Sequence, residues 1–449
     1  MAIIEQNLFS WQVVESSTEI QRFQAILATT PDEALMRTLE AERRGRRNDW
    51  PIRAMWNALI AMVVFRHDSI ASLRRELERN GELRQACGFA LQRREVLVNG
   101  EKRLRPLAPS KDAFRRFIKK LAAHLDLVTE IFQALTEGLA DELPDFGRYL
   151  ATDGKAIRAA RSDDPDADWG AKRQGNPDGD EQAEITRTWL GYKVHMVCDA
   201  TYELPVTFRL TEGSRGESPL LKEMVEDIDA HQPKVLDRTK VMCGDRGFDD
   251  GEDKRWLAEV YGIAPIIPAR DMTQGRYEPL DDEHHDTIYV SPTGCVACRV
   301  RPFDEDVEKQ FAPMTFMGYE HDRQTLKFRC PAAAWGIECE NQDACAASAA
   351  VKAGTYGRVV RVKLDTNRRL FGPVYSHSNK FADLYAMRTS VERLFARLDH
   401  MYGFERHHTV GLKAMKVRTT LAMIAMQATA LNWIKAGKDE RMRTQRPAA

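Results

Sequence analysis

Three carboxylates in this chain have the residue type and the neighbours that phosphoryl-transfer chemistry requires. Asp153 stands in Ala151-Thr152-Asp153-Gly154-Lys155, and Asp245 in Gly244-Asp245-Arg246-Gly247-Phe248. Glu392 closes Tyr385-Ala386-Met387-Arg388-Thr389-Ser390-Val391-Glu392. Two strand-end aspartates and a helix glutamate can bridge two divalent cations, which clamp the attacking and leaving oxygens of an in-line displacement. Hard oxygen ligands select Mg²⁺ or Mn²⁺. Gly154 and Gly247 relax the backbone just after each aspartate, where a loop must leave without covering the metal. Taken singly, each aspartate fits ordinary strand-end turn chemistry equally well. The helix adds weight: at about 100° per residue, Tyr385, Arg388 and Glu392 fall within roughly 60° of one another. Leu384, Met387, Val391, Leu394 and Leu398 form a separate apolar face. A solvated Arg–Glu pair at i,i+4 is the bland alternative.

The elements that must position these groups begin at Arg148, where the pattern turns from helical to alternating. Residues 148–153 read as a strand ending in Asp153, and residues 188–198 and 204–210 as a β-hairpin. Residues 217–231 read as a helix and 240–245 as a short buried strand ending in Asp245. A helix near 253–261 and a strand at 263–267 follow. The order β-β-β-α-β-α-β describes an α/β domain whose two aspartates meet at one sheet edge. Five of the eight cysteines and several short β-like runs then interrupt the alternation, so residues 276–375 are expected to form a β-rich insertion. Helices near 381–399 and 412–433 complete the domain. Residues 31–145 are expected to be entirely helical, with Asp68-Ser69 and Ser110 as caps and a basic amphipathic helix at 111–124, a helix-turn-helix-like arrangement. The resulting organisation is 1–145 helical DNA-binding domain, 146–275 first catalytic part, 276–375 insertion, 376–435 completing helices and 436–449 basic tail.

The chain has 449 residues with Lys+Arg 66 against Asp+Glu 67, which excludes a uniformly basic nucleic-acid coat. Its charge is nonetheless uneven. Residues 91–120 hold ten basic and three acidic residues, and residues 388–449 twelve and five. Basic ends around an acidic centre suit a polyanion laid across the molecule. The DNA contacts expected on this ground are Arg43, Arg44, Arg46, Arg47, Arg115, Arg116, Lys119, Lys120 and Arg406. No apolar run approaches the ~20 residues a membrane span needs, and the N-terminal residues lack the basic and apolar regions of a secretory signal. A cytoplasmic protein is expected.

Together the motifs resemble the DDE transposases of bacterial insertion sequences, in the group with a Tyr-x2-Arg-x3-Glu-x6-Lys helix and a β-rich insertion. The matching pieces are ATDGKAI, GYKVHMVCDATYELPVTFRLTEGS, CGDRGFD and YAMRTSVERLF, in that order. The helical segment from Pro51 to Phe89 also resembles the N-terminal DNA-binding part of these enzymes. The resemblance implies an RNase H-like (retroviral-integrase-like) catalytic domain, with Asp153, Asp245 and Glu392 as ligands of two Mg²⁺ or Mn²⁺ ions. It implies cleavage at the terminal inverted repeats of the chain's own element and joining of the freed 3′-hydroxyls to target DNA. It further implies double-stranded DNA as partner, a homodimer on DNA, and a place at the bacterial nucleoid. Tyr385 and Arg388 would hold the DNA end. The family lysine falls at Asp399, where the charge is reversed; Arg393 and Arg397 are the nearest substitutes. Two rival readings are a metal-dependent nuclease that cuts without joining and a DNA-binding protein with a dead centre.

Cys295-Val296-Ala297-Cys298 is a knuckle suited to a structural zinc, completed by Cys339 and Cys345, with Cys330 as a substitute. Buried free thiols are the alternative. Cys87, Cys198 and Cys243 occupy apolar positions expected in the core. Trp335 is expected to be local core rather than a base-stacking platform. His407 and His408 are expected beside Arg406 in phosphate contact.

Overall fold

The computed structural model describes all residues except 1–17, 44–49, 93–94, 99–100, 105, 176–183, 282–286, 300–309, 337–338, 341–344, 346–355 and 444–449. The N-terminal part contains helices Thr18–Thr29, Glu33–Ala41, Ile52–Val64, Ile70–Arg79, Gly81–Cys87, Lys111–Ala123 and Leu125–Glu142. Two of the expected caps are present: the Ser69 hydroxyl accepts from Ser72 N and the Ser110 hydroxyl from Ala113 N, each satisfying a free helix N–H. The expectation of an all-helical region is corrected by an antiparallel pair, Glu95–Val98 with Glu101–Leu104. The intervening dipeptide in the sequence is Asn-Gly, the strongest short-range hairpin signal, flanked by a β-branched run.

The largest sheet among the described residues is built on a 16-residue strand, Glu184–Asp199. Its first half pairs with Asp168–Gly175, a strand the sequence reading lacked, and its second half with both Tyr149–Arg158 and Leu204–Glu212. Tyr149–Arg158 in turn pairs in parallel with Val241–Cys243, and that strand in parallel with Ala264–Ile266. Asp153 therefore lies within a ten-residue strand, not at its end. What ends before it is the parallel pairing, whose last register is Ala151 with Cys243. Asp153 and Asp245 each stand two residues beyond that pair, so both side chains emerge at one level where the sheet opens.

Helices Ser218–His231 and Gly251–Val260 flank the sheet. The segment expected as one helix over 381–399 is two, Asn379–Ala386 and Thr389–Tyr402, divided at Met387-Arg388. The Thr389 hydroxyl donates to the Ala386 carbonyl at 2.8 Å, which satisfies backbone at the break. Helix Leu412–Lys435 is buried along almost its whole length between the N-terminal helices and the sheet. At its centre the Gln427 amide donates to the Thr136 hydroxyl (2.6 Å) and to the Pro205 carbonyl (2.8 Å), tying both sides together. One apolar core accordingly runs from Ile20 to Met442 through the N-terminal helices and this sheet.

The insertion has a separate core. A four-stranded antiparallel sheet (Glu278–Pro279, Ile288–Val290, Val296–Arg299, Phe311–Pro313) lies beside a three-stranded one (Thr315–Glu320, Thr325–Arg329, Val359–Lys363). Tyr375 closes it, with ring centroids 4.9 Å from Phe316 and 5.1 Å from Phe328. Burial of such rings supplies most of what a small sheet pair needs to hold together.

Candidate active site

Among the described residues, one group of three metal-capable side chains has ligand atoms all within 4.8 Å of one another: Asp153, Glu217 and Asp245. Asp153 is buried, and one of its oxygens accepts from Gly154 N at 2.7 Å. Its other oxygen takes the Arg388 guanidinium at 3.2 Å. Burial, and next the Asp245 charge, push its pKa up to about 6, with Glu217 adding to the rise. Asp245 caps the short turn Arg246–Phe248 by accepting from Gly247 N at 2.7 Å.

Glu217 precedes helix Ser218–His231 but makes no side-chain capping bond to it. Its carboxylate turns toward the sheet, 3.3 Å from Lys193 Nζ. Gly154 and Gly247 are what admit it. A Cβ at Gly247 would stand 2.7 Å from one Glu217 oxygen, and a Cβ at Gly154 would collide with the other. The two glycines read in the sequence as loop relief thus clear a carboxylate-sized cradle. The sequence reading placed Glu217 only as the start of a helix; the signal available was Gly154 and Gly247, which mark close approach of another group.

Glu392 reaches Asp153 through Arg388. The guanidinium donates to Glu392 at 2.7 Å while holding Asp153, and the Glu392 side chain is 52% exposed. The Tyr385 ring lies 5.7 Å beneath the same guanidinium, and the Tyr385 and Phe381 rings stack. Burial alone would lower the Arg388 pKa; Glu392, Tyr385 and Asp153 outweigh it and raise it. The helix pair that carries these groups is fixed to the sheet by the Cys243 thiol, 3.3 Å from the Leu384 carbonyl, and by Ser390 against Cys198 at 3.6 Å.

The reversed charge at Asp399 has a structural partner. Lys155, two residues after Asp153, places its ammonium 2.7 Å from Asp399 and 2.5 Å from Glu405. Arg393 and Arg397 do not stand in for the family lysine, because both turn to Glu203 at the hairpin: Arg393 pairs with its carboxylate at 2.6 Å and Arg397 donates to its carbonyl.

The expected DNA contacts divide. Arg115, Arg116 and Lys119 are exposed on one face of helix Lys111–Ala123. Lys120 instead donates to the Leu39 carbonyl at 2.7 Å and pairs with Glu42, holding two helices together. Arg43 pairs with Glu40 and donates to the Trp50 carbonyl. Arg44, Arg46 and Arg47 lie outside the described residues. Arg406 is exposed, whereas His407 is buried, its ring between the Arg158 carbonyl and Thr409 N, so a phosphate contact by His407 is corrected.

In the insertion, burial pushes the Cys298 thiol up to about 12, and Cys339, Cys345 and Cys330 add to it as neighbours. Cys295 faces Tyr375 and Tyr277 instead. Cys330 therefore occupies the neighbourhood expected for Cys295, because alternate residues of strand Val296–Arg299 and its approach point to opposite sides. Trp335 is 71% exposed, against its expected place in a local core; its indole N–H donates to the Thr315 hydroxyl at 2.6 Å. Cys87, Cys198 and Cys243 are buried as expected. No helix among the described residues is long and apolar enough to cross a membrane.

None of the curated proteins matches this chain. Among solved structures, a piggyBac transposase in a synaptic complex with hairpin DNA aligns over 96% of this chain and 86% of its own. Identity there is 11% and the TM-score 0.28, too low to bear on fold or function. The family described as "Transposase DDE domain" matches residues 144–428, a span that begins just before the Asp153 strand and ends within the central buried helix. It takes in Asp153, Glu217, Asp245, Arg388 and Glu392, and on that match the chain belongs to the DDE-domain transposases.

Proposed function

We propose that this transposase cuts DNA at the terminal inverted repeats of its own insertion sequence and joins the freed 3′-hydroxyl ends to target DNA. The reading rests chiefly on the level juxtaposition of Asp153 and Asp245 where the parallel pairing ends. An RNase H-like core of this kind presents its carboxylates to a phosphodiester from one sheet edge. The donor set is all oxygen and hard, and it converges where Gly154 and Gly247 add no side chain of their own, which fits Mg²⁺ or Mn²⁺. Two such ions, when bound by Asp153 and Asp245 with Glu392, would supply Lewis acidity to the attacking and leaving oxygens.

The chain's own groups act by placing charge and substrate. In the first step a water oxygen attacks phosphorus, the P–O3′ bond breaks and a 3′-hydroxyl is released. In the second that hydroxyl attacks a target phosphodiester and displaces another 3′-oxygen. Arg388 and Tyr385, adjacent to Asp153, present a cation and an aromatic face to the DNA end. The exposed Arg115, Arg116, Lys119 and Arg406 offer further phosphate contacts, independent of base sequence. Pairing two element ends calls for a homodimer on DNA, working at the nucleoid in the cytoplasm. The structural zinc expected in the insertion has no ligand set assembled for it: no three of Cys295, Cys298, Cys330, Cys339 and Cys345 bring their sulfurs within 4.8 Å of one another.

The test is a supercoiled plasmid carrying the gene's flanking DNA, incubated with wild-type protein or Glu392→Gln, in Mg²⁺ or in EDTA. Metal-dependent joining that is lost in the variant is expected. Cutting without joining would establish the nuclease reading, and DNA binding without cleavage the dead-centre reading.

A further inference from the structure

We propose that Glu217 is a direct ligand of the divalent ion held between Asp153 and Asp245, so that the site carries four carboxylates rather than three. The inference rests on the metal-dependent reading above and adds to it a residue from a different element. Among the described residues, Glu217 is the side chain whose ligand oxygen lies within 4.8 Å of both aspartates, whereas Glu392 is joined to Asp153 through Arg388.

The structural alternative for Glu217 is a helix-start residue, favoured there by the helix dipole. Its side chain does not behave as one. It makes no bond to the free N–H groups of helix Ser218–His231 and turns its carboxylate away into the gap between Gly154 and Gly247. Lys193 meets one oxygen at 3.3 Å and fixes the carboxylate's orientation. Any residue larger than glycine at 154 or 247 would press on that carboxylate, so one position on a strand and one on the turn after another are both kept clear for it.

Three carboxylates with ligand oxygens this close repel one another when all are ionised. The cations in contact are Lys193 on Glu217 and Arg388 on Asp153, and Arg388 is shared with Glu392. A divalent cation relieves the repulsion, with three oxygens already converging on one point. Glu392 is then free to serve a second ion or the DNA end when Arg388 moves to phosphate.

Mn²⁺ binding to the full-length protein, followed by electron paramagnetic resonance of free Mn²⁺, separates the possibilities without relying on turnover. Glu217→Gln is expected to weaken the tightest Mn²⁺ site at least tenfold, comparably to Asp245→Asn, and Glu392→Gln to weaken it less. Unchanged binding in Glu217→Gln beside lost binding in Asp245→Asn would overturn the role of Glu217 and leave the two-aspartate site standing. Unchanged binding in both would overturn the site itself together with Glu217. Should Glu217→Gln fail to fold by circular dichroism, Glu217→Asp decides: weakened binding supports the ligand role, wild-type binding overturns it.

Discussion

Asp249, four residues after Asp245, is a fully buried carboxylate outside the Asp153–Glu217–Asp245 group. Its side chain is 0% exposed and it accepts from Lys254 Nζ at 2.6 Å, Arg270 N at 2.7 Å and the Arg369 guanidinium at 2.7 Å. Arg369 lies on the segment that returns from the insertion, so this one carboxylate ties the Asp245 turn to the far end of the interruption. Its donors outweigh burial and hold its pKa below the usual carboxylate range. The partner shifts the other way relative to its charge: burial lowers the Lys254 pKa, and the two arginines add to that, because three cationic groups share one anion. Asp249→Ala would leave Lys254, 6% exposed, as a buried charge without its anion. Breaking such a pair costs about 3–5 kcal/mol, and the lower half applies here because Arg369 retains partial solvent. The assay is urea denaturation followed by intrinsic tryptophan fluorescence, to which Trp256 on the Lys254 helix contributes. A loss of about 3 kcal/mol is expected, and Asp249→Ala with Lys254→Met should recover more than half of it by removing the stranded charge. Because the folded pKa is depressed, the stabilisation is present above the unfolded value of about 4 and lost as pH falls through the folded one. DNA cleavage should fall about 10–100-fold as the Asp245 turn loosens. A loss under about 1 kcal/mol, or no recovery in the double variant, would refute the reasoning.

Lys155 sits between Asp399 and Glu405, so Asp399→Lys should cost about 2 kcal/mol by setting two ammonium groups together in a half-buried place. Adding Lys155→Glu should restore most of it, as read by chemical denaturation; failure of the exchange would show that the pair is incidental. His407 is held neutral with a pKa lowered to about 4, first by burial and then by Arg418. Since the folded value lies below the unfolded one, its contribution is complete above about pH 6.5 and lost as pH falls toward 4, about 3 kcal/mol in all. His407→Gln should flatten the stability–pH curve in that window, and an unchanged slope would count against it. Arg388→Met separates Asp153 from Glu392 and should lower strand joining about 100-fold in the plasmid assay with the fold intact by circular dichroism. Joining at the wild-type rate would remove Arg388 from the active arrangement.

The amino-acid sequence by itself determined the local elements and the identity of the aspartates. Caps at Ser69 and Ser110 act over three residues, and the β-rich runs around Asp153 and Asp245 carry their own periodicity, so both are legible without neighbours. The hairpin at residues 95–104 and the break at Met387-Arg388 were missed on the same local scale. There a single Asn-Gly and a short kink were outweighed by the helical pattern around them. What tertiary structure alone decided is which side chains share a point in space. Glu217 joins Asp153 and Asp245 because a helix start passes over two glycines, one within a strand and one on the turn that follows another. Lys155 answers Asp399 across more than two hundred residues, and Lys120 and His407 are drawn into the body of the protein rather than left for phosphate. Spacing along a chain encodes a face or a turn; only the register of one strand against another and the packing of helices on them fixes distances between elements.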